Sequence, residues 1–306
     1  MGEPGGLKNG PEIAACVLLA GGLIPSPLVE QARRPVLDLW LTARQTVFGR
    51  WCDVLFDSTC HGSQLGGSRP MIHVVHSGPP FAPATDYSDP RFEVLTQEEP
   101  GSFRGPAGVL RDVTGGYGPD DVILVAEAAR YMAGTLGQLL DDWERTRCDA
   151  LIACHPDGRP TGIMLIRRGT LELVPPVGYM DIKEQWLPAL QRAGLTLWTS
   201  ETRDFQPFPL RKRSQFLEAS AIASGVGGPG SAASVVGPPR LLRGPLDRAR
   251  VAESATVAEG AVVVDAVVMP GAQIGDGAVV VRSVVCADAV VPAGSRVIEE
   301  VVPCAA

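Results

Sequence analysis

The first residues able to do chemistry are Gly21 and Gly22. They close a continuous apolar run, Ile13 to Leu19, through Ala20. A buried parallel strand that ends in a glycine turn carries backbone N–H groups close enough to hold a phosphate. The histidines offer less. His73 and His76 flank two valines in a strand-like run, and a spacing of three puts them on opposite faces, away from a shared metal. His61 sits in a Gly/Ser loop and His155 precedes Pro156; both read as structural or surface residues. No Gly-x-Ser-x-Gly elbow and no Ser/His/Asp order is present. The seven cysteines, at 16, 52, 60, 148, 154, 286 and 304, match no zinc spacing and mostly lie in apolar runs. They fit packed, reduced thiols of a cytoplasmic chain.

The elements that must position such a turn alternate. Apolar runs at Met71–Val75, Val122–Ala126, Ala150–Ala153 and Gly162–Ile166 are separated by helix-like stretches such as Tyr131–Trp143 and Asp181–Arg192. That order predicts a mostly parallel, Rossmann-like α/β sheet. The 306 residues are 45% apolar and 20% charged, the balance of a globular protein. With 27 basic and 34 acidic side chains the net charge is −7, which argues against nucleic acid as a partner. The cluster Arg211-Lys212-Arg213 reads as a solvated face. Ile13-Ala14-Ala15-Cys16 looks like a lipoprotein cleavage site, but its apolar stretch follows the cysteine instead of preceding it. Ala219 to Pro239 is uncharged yet built of Gly, Ser, Pro and Ala, so it suits a linker and no membrane span is expected.

The strongest pattern is a repeat at the C-terminal end. Residues 251–267, 268–284 and 285–301 align in three columns: Val251, Val268 and Val285; Val257, Ile274 and Val291; Val263, Val280 and Val297. Spacings of six, six and five give a period of 17. Three short strands per turn, each sending one aliphatic residue to the axis, predict a triangular coil with tight corners at Ala252, Ala255, Ala272 and Gly275. Gly260, Gly277 and Gly294 share a column where φ > 0 is expected. The pattern resembles the hexapeptide repeats of left-handed β-helices. Residues 234–250 offer no more than an entry cap.

With the repeat in view, the front of the chain resembles the sugar-1-phosphate nucleotidylyltransferases, including mannose-1-phosphate guanylyltransferase. Val17-Leu18-Leu19-Ala20-Gly21-Gly22 is similar to the family's opening LAGG turn, and Pro27-Leu28 to its P-L step. Arg34-Pro35-Val36-Leu37 falls where K-P-L-L belongs. Gly105-Pro106-Ala107-Gly108 resembles the G-T-A-G turn that holds the base and leads into a helix. Gly162-Ile163-Met164-Leu165 resembles the later G-Y-Y-x strand. The resemblance implies a GT-A-like sheet followed by a short left-handed β-helix. It also implies a nucleotide site at Gly21, Gly22, Arg34, Gly105, Ala107 and Gly108.

The family joins a sugar 1-phosphate to the α-phosphate of a nucleoside triphosphate, which needs cations and carboxylate-held Mg²⁺. Here those positions depart. Leu23-Ile24-Pro25-Ser26 lacks the family glycine and arginine, and its proline removes an N–H donor. The first metal carboxylate position holds Ala128, beside Glu127; the E-K-P motif is replaced by His155-Pro156-Asp157; the second metal position holds Pro209, with Asp204 out of register. Arginine at 34 still binds phosphate, with a geometry different from lysine. Asp181-Ile182-Lys183-Glu184-Gln185 offers a sugar site at Asp181 or Lys183. It equally forms a capping box, with Asp181 capping and Glu184 reaching back, and the latter is favoured.

The expected organisation is a leader at 1–12, a nucleotidyltransferase-like domain at 13–220, a linker at 221–239 and a β-helix at 240–306. The expected function is binding of a nucleotide or sugar nucleotide with catalysis weakened or lost, in a regulatory or scaffolding role, with no catalytic or metal-binding residue assigned. A second reading keeps an active, divergent transferase with Glu127, Asp181 or Asp204 as Mg²⁺ ligands. A third makes the β-helix an acyltransferase, although no histidine lies in 251–306 to act as its base. Self-association, or pairing with a paralogous nucleotidyltransferase, is expected to run through the β-helix.

Overall fold

The computed structural model describes residues 13–21, 25–59, 69–78, 82–84, 86–99, 104–203, 205–225 and 248–305. Gly22, Cys60, His61 and Asp204 therefore lie outside the described residues, as do the leader and most of the expected linker.

Seven strands make the main sheet: β1 (Ile13–Leu19), β2 (Met71–His76), β3 (Glu93–Glu98), β4 (Val122–Glu127), β6 (Ala150–Cys154), β7 (Pro160–Arg167) and β8 (Leu197–Glu201), in the order β3-β2-β1-β4-β7-β6-β8. All run parallel except β7, which is antiparallel to both β4 and β6. Interior β1 is apolar throughout because both sheet faces are covered. Its Cys16 and Leu18 enter one core layer with α1 (Pro27–Ala32), α2 (Val47–Thr59), α4 (Gly137–Thr146) and α6 (Arg213–Ala223). Its Ala15 and Val17 enter the other, with α3 (Gly105–Val113) and α5 (Leu187–Arg192). Alternate residues of one strand thus glue two helical layers to one sheet.

One expected helix begins later than its composition suggests. Arg130–Gly134 forms a strand, β5, which pairs antiparallel with β9 (Phe205–Pro209). Gly134 at φ 95 then breaks the chain, and α4 starts at Gly137. Helical spacing of buried apolar residues holds only from Leu136 through Leu139, Leu140 and Trp143. Tyr131 and Met132 are buried as strand residues.

From Arg250 to Val302, ten short strands, β10 (Arg250–Val251) to β19 (Val301–Val302), form three parallel sheets, the arrangement of a left-handed β-helix. Every paired residue is 17 positions from its partner, as in Val251↔Val268, Val263↔Val280 and Ile274↔Val291. All three aliphatic columns point inward into a single cluster. Gly277 and Gly294 do adopt φ near +65, whereas Gly260 does not. Gly260 is needed for a different reason: its N–H donates to Asp276 Oδ1 at 3.1 Å, and a Cβ would strike that carboxylate.

The left-handed corners missed by the sequence reading are charged. Arg248, Asp265, Arg282 and Glu299, spaced by 17, all have φ between 46 and 58. Their alternating signs form ion pairs along one edge, Arg248–Asp265 at 3.2 Å and Arg282–Glu299 at 2.6 Å. Arg213 of α6 joins the last pair, donating to the Arg282 carbonyl and lying 3.6 Å from Glu299. Below it, Val267, Met269, Val284 and Cys286 pack into the same core layer as α1 and α6. One face of the β-helix thus packs on the α/β layer, while its axis keeps a core of its own.

Candidate functional site

In an open α/β sheet, ligands bind beyond the carboxyl ends of the strands where the order reverses. Here that point is the end of β1, between β2 and β4. Ala20 N–H is already spent on Val75 O at 2.7 Å. Gly21 is pressed against its neighbours, since a Cβ there would lie 2.5 Å from Ser77 Oγ and 3.1 Å from Glu99 Oε2. Burial raises the pKa of that Glu99 carboxyl. The close approach that makes residue 21 a glycine is thus to the protein's own side chains.

The second glycine turn is also occupied from within. Gly105 has φ 67, and a Cβ would lie 2.6 Å from Met180 O. Ala107 N–H donates to the same carbonyl at 3.2 Å, and Met180 N–H returns a bond to Arg104 O at 2.9 Å. Gly108 leaves room for the buried Arg104 side chain, 2.9 Å from the place a Cβ would take. Arg104 grips Asp112 at 2.7 and 2.9 Å and the carbonyls of Pro175 and Gly178 at 3.0 and 3.1 Å. The segment 175–181 is thereby tied over the start of α3.

Arg34 stands elsewhere. It follows the αL cap Arg33 of α1, and its guanidinium hydrogen-bonds Cys304 at the far end of the β-helix. The structure does not bring it to the Gly105 turn. Asp181 caps the helical turn Ile182–Trp186, accepting from Lys183 N and Glu184 N at 2.7 and 2.9 Å. The side chain that reaches back is Gln185, 2.7 Å from Asp181 N, and not Glu184. This first turn is wound as a π-helix, and its wider turn brings position i+4 over the cap.

A cleft of about 690 Å³ opens between the ends of β6, β5 and β9. It is lined by Arg130, His155, Arg159, Lys183, Thr202 and Gln206, with a wall of prolines and Phe208. Four of these residues carry or can carry positive charge. Lys183 is one of the two residues the sequence offers for a sugar site, against the favoured capping box; His155, expected as structural or surface, also lines the cleft. Burial first, then the nearby Arg130 charge, lower its pKa. Arg130 and Arg159 were missed, because nothing in their local sequence sets them apart from other surface arginines.

Behind the cleft, Arg130 is held by an ion pair. Glu127 Oε2 accepts from Arg130 Nε and Nη2 at 3.1 and 2.7 Å, with Arg211 Nη2 3.8 Å away. Next to it Ala128 is fully buried in the core and accepts from Trp51 Nε1 at 3.2 Å. Pro209 is paired with Arg130 in the β5–β9 ladder. A divalent cation needs several free oxygen donors. Ala128 and Pro209 supply no side-chain oxygen, the Glu127 carboxylate is held by arginine, and Asp181 is committed to backbone N–H groups. These residues do not fit Mg²⁺. Among the described residues no group of three or more His, Cys, Asp and Glu side chains could hold a metal, and no helix is long and apolar enough to cross a membrane.

No protein-family model matches the chain, and no curated protein sequence matches it. A solved structure does. It is a Bacillus anthracis protein assigned as a glucose-1-phosphate thymidylyltransferase, crystallised with sucrose. The match has a TM-score of 0.50 at 12% identity and covers 70% of this chain and 97% of that one. At that identity the likeness concerns the fold alone.

Proposed function

We propose that this chain is a nucleotidyltransferase-fold protein of nucleotide-sugar metabolism that binds a nucleotide or sugar nucleotide without metal-dependent turnover. In this reading it acts as a regulatory or scaffolding partner in a cytoplasmic setting. The observation that carries the proposal is the fork of Arg130 on Glu127. A carboxylate at the end of the central strand, where a metal ligand would serve phosphoryl transfer, is neutralised by a guanidinium that also lines the cleft. Lys183 and Arg159 add positive charge at the rim, and the volume is within the range of about 300–1,000 Å³ that small-molecule pockets occupy. Such a site suits a diphosphate or a sugar phosphate held by arginine and lysine. The β-helix would serve pairing, with a second copy or a paralogous transferase.

The test is calorimetric titration of the full chain with nucleoside triphosphates and nucleoside-diphosphate sugars, with and without EDTA, beside a pyrophosphate-release assay with glucose or mannose 1-phosphate. The expected result is EDTA-insensitive binding and no pyrophosphate. Turnover that EDTA abolishes would overturn the proposal in favour of a divergent transferase. No heat with any of these ligands would remove the binding role.

A further inference from the structure

Cys286 and Cys304 stand apart from the other described cysteines. Cys16, Cys52, Cys148 and Cys154 are all buried, Cys52 near Cys16 and bonded to Asp89, while Cys304 is only partly buried and its thiol hydrogen-bonds that of Cys286. The contact follows from the coil register. Val285 pairs with Val302, and Cys286 N–H donates to Val302 O at 3.0 Å, which brings the chain after β19 back beside residue 286. Cys304 N–H donates to Ala32 O at 3.4 Å, so the segment is docked on the C-terminal end of α1. Arg34, two residues beyond Ala32, hydrogen-bonds the Cys304 sulfur, and the Ala287 N–H points at it as well.

We propose that Cys304 and Cys286 are a peroxide-reactive thiol pair, in which Arg34 faces the attacking sulfur of Cys304 and oxidation closes a Cys286–Cys304 disulfide. The chemistry balances with hydrogen peroxide as the oxidant. The Cys304 sulfur attacks one peroxide oxygen, the O–O bond breaks, and hydroxide leaves as water, giving a sulfenic acid. The Cys286 sulfur then attacks Cys304, the S–O bond breaks, and the departing hydroxide takes the Cys286 proton as a second water. Two thiols and one peroxide give one disulfide and two waters.

The division of labour follows from the surroundings. Hydrogen bonds from Cys286 and Arg34, with the Arg34 charge, move the Cys304 thiol below its ordinary range and favour the nucleophilic thiolate. Cys286 receives the proton side of that contact and is raised, with burial adding to the effect. Cys304 is also the more accessible of the two. The disulfide would staple the coil against the segment that packs on α1, fixing the junction between β-helix and α/β layer in oxidising conditions.

The experiment treats the full chain with equimolar hydrogen peroxide and maps thiols by non-reducing peptide mass spectrometry. The expected product is a Cys286–Cys304 cross-linked peptide while Cys148 and Cys154 stay reduced. Cys304→Ser, at the accessible end of the pair, should abolish it and leave Cys286 unoxidised. Cys286→Ser should stop at a dimedone-trappable sulfenic acid on Cys304. Arg34→Gln should slow the reaction about tenfold by raising the Cys304 pKa. The proposal is overturned if Cys304 reacts no faster than Cys148, or if the cross-link is absent after Cys304 oxidises; an unchanged rate in R34Q overturns the role of Arg34.

Discussion

Arg130 forks onto a single oxygen of Glu127, and the pair lies directly on the Cα of Gly162. A Cβ at Gly162 would sit 2.7 Å from Glu127 Cδ and 2.8 Å from Arg130 Nε. Three residues from three strands, β4, β5 and β7, thus pack into one cluster that meets the cleft through Arg130, and each constrains the other two.

Arg130→Gln removes the partner of a carboxylate that is about two-thirds shielded from solvent. Arg211, at 3.8 Å, is too far and too exposed to replace it. The expected loss is roughly 1–3 kcal/mol of stability, because Glu127 keeps its desolvation cost without its hydrogen bonds. Affinity for a nucleoside-diphosphate sugar should fall about tenfold or more, or about 1.4 kcal/mol. Urea denaturation and calorimetry read the two effects separately.

Gly162→Ala meets two obstacles at once. The residue has φ 85, which L side chains rarely adopt, and its new methyl would displace the ion pair. A cost of about 1–3 kcal/mol is expected for the backbone alone. Ligand binding should weaken in parallel, and the double variant with Arg130→Gln should cost less than the two single variants added together.

Ala128→Asp places a carboxylate where the resemblance to the nucleotidylyltransferases would put a first metal ligand, yet it should not create a metal site. Ala128 has no exposed surface and packs within the larger core layer. An aspartate there is buried without a partner, at a cost of about 3 kcal/mol or more. Loss of the cooperative melting transition, with no Mg²⁺-dependent recovery, is the expected outcome.

His73 governs part of the acid response. It is 5% exposed, with Nε2 2.7 Å from Tyr117 Oη and Nδ1 3.3 Å from Gln97 Nε2. Burial lowers its pKa from an ordinary 6.5. Below 6.5 the unfolded chain therefore takes up a proton before the folded one does. Stability is full above 6.5 and is lost as pH falls toward the lower folded value. His73→Gln should flatten that slope in denaturation midpoints measured between pH 7 and 5. A remainder should persist, because His155 is shifted the same way.

The β-helix was legible because its contacts repeat along the chain. Each inward residue meets the one 17 positions away, so Val263, Val280 and Val297 announce their own stacking. The alternating corner charges Arg248, Asp265, Arg282 and Glu299 obey the same period and were legible in principle. Charged residues rarely take φ > 0, so their column carries no compositional sign of a left-handed corner. The parallel sheet was legible for a related reason: a strand covered on both faces must be apolar at every position, as Ala15 to Leu18 are.

The cleft was not legible in that way. Glu127 and Arg130 are three residues apart, but their pairing depends on the paired β5 and β9 and on a glycine 32 positions further on. Gly21 and Gly105 showed where the backbone must pass close to something; only the folded chain revealed that the neighbours are Ser77 and Met180. Local periodicity and backbone conformation are written in the order of residues, since they act between neighbours or at a constant offset. Which charge meets which across the cleft is decided by long-range packing, where one guanidinium replaces another partner without leaving any mark on the sequence around it.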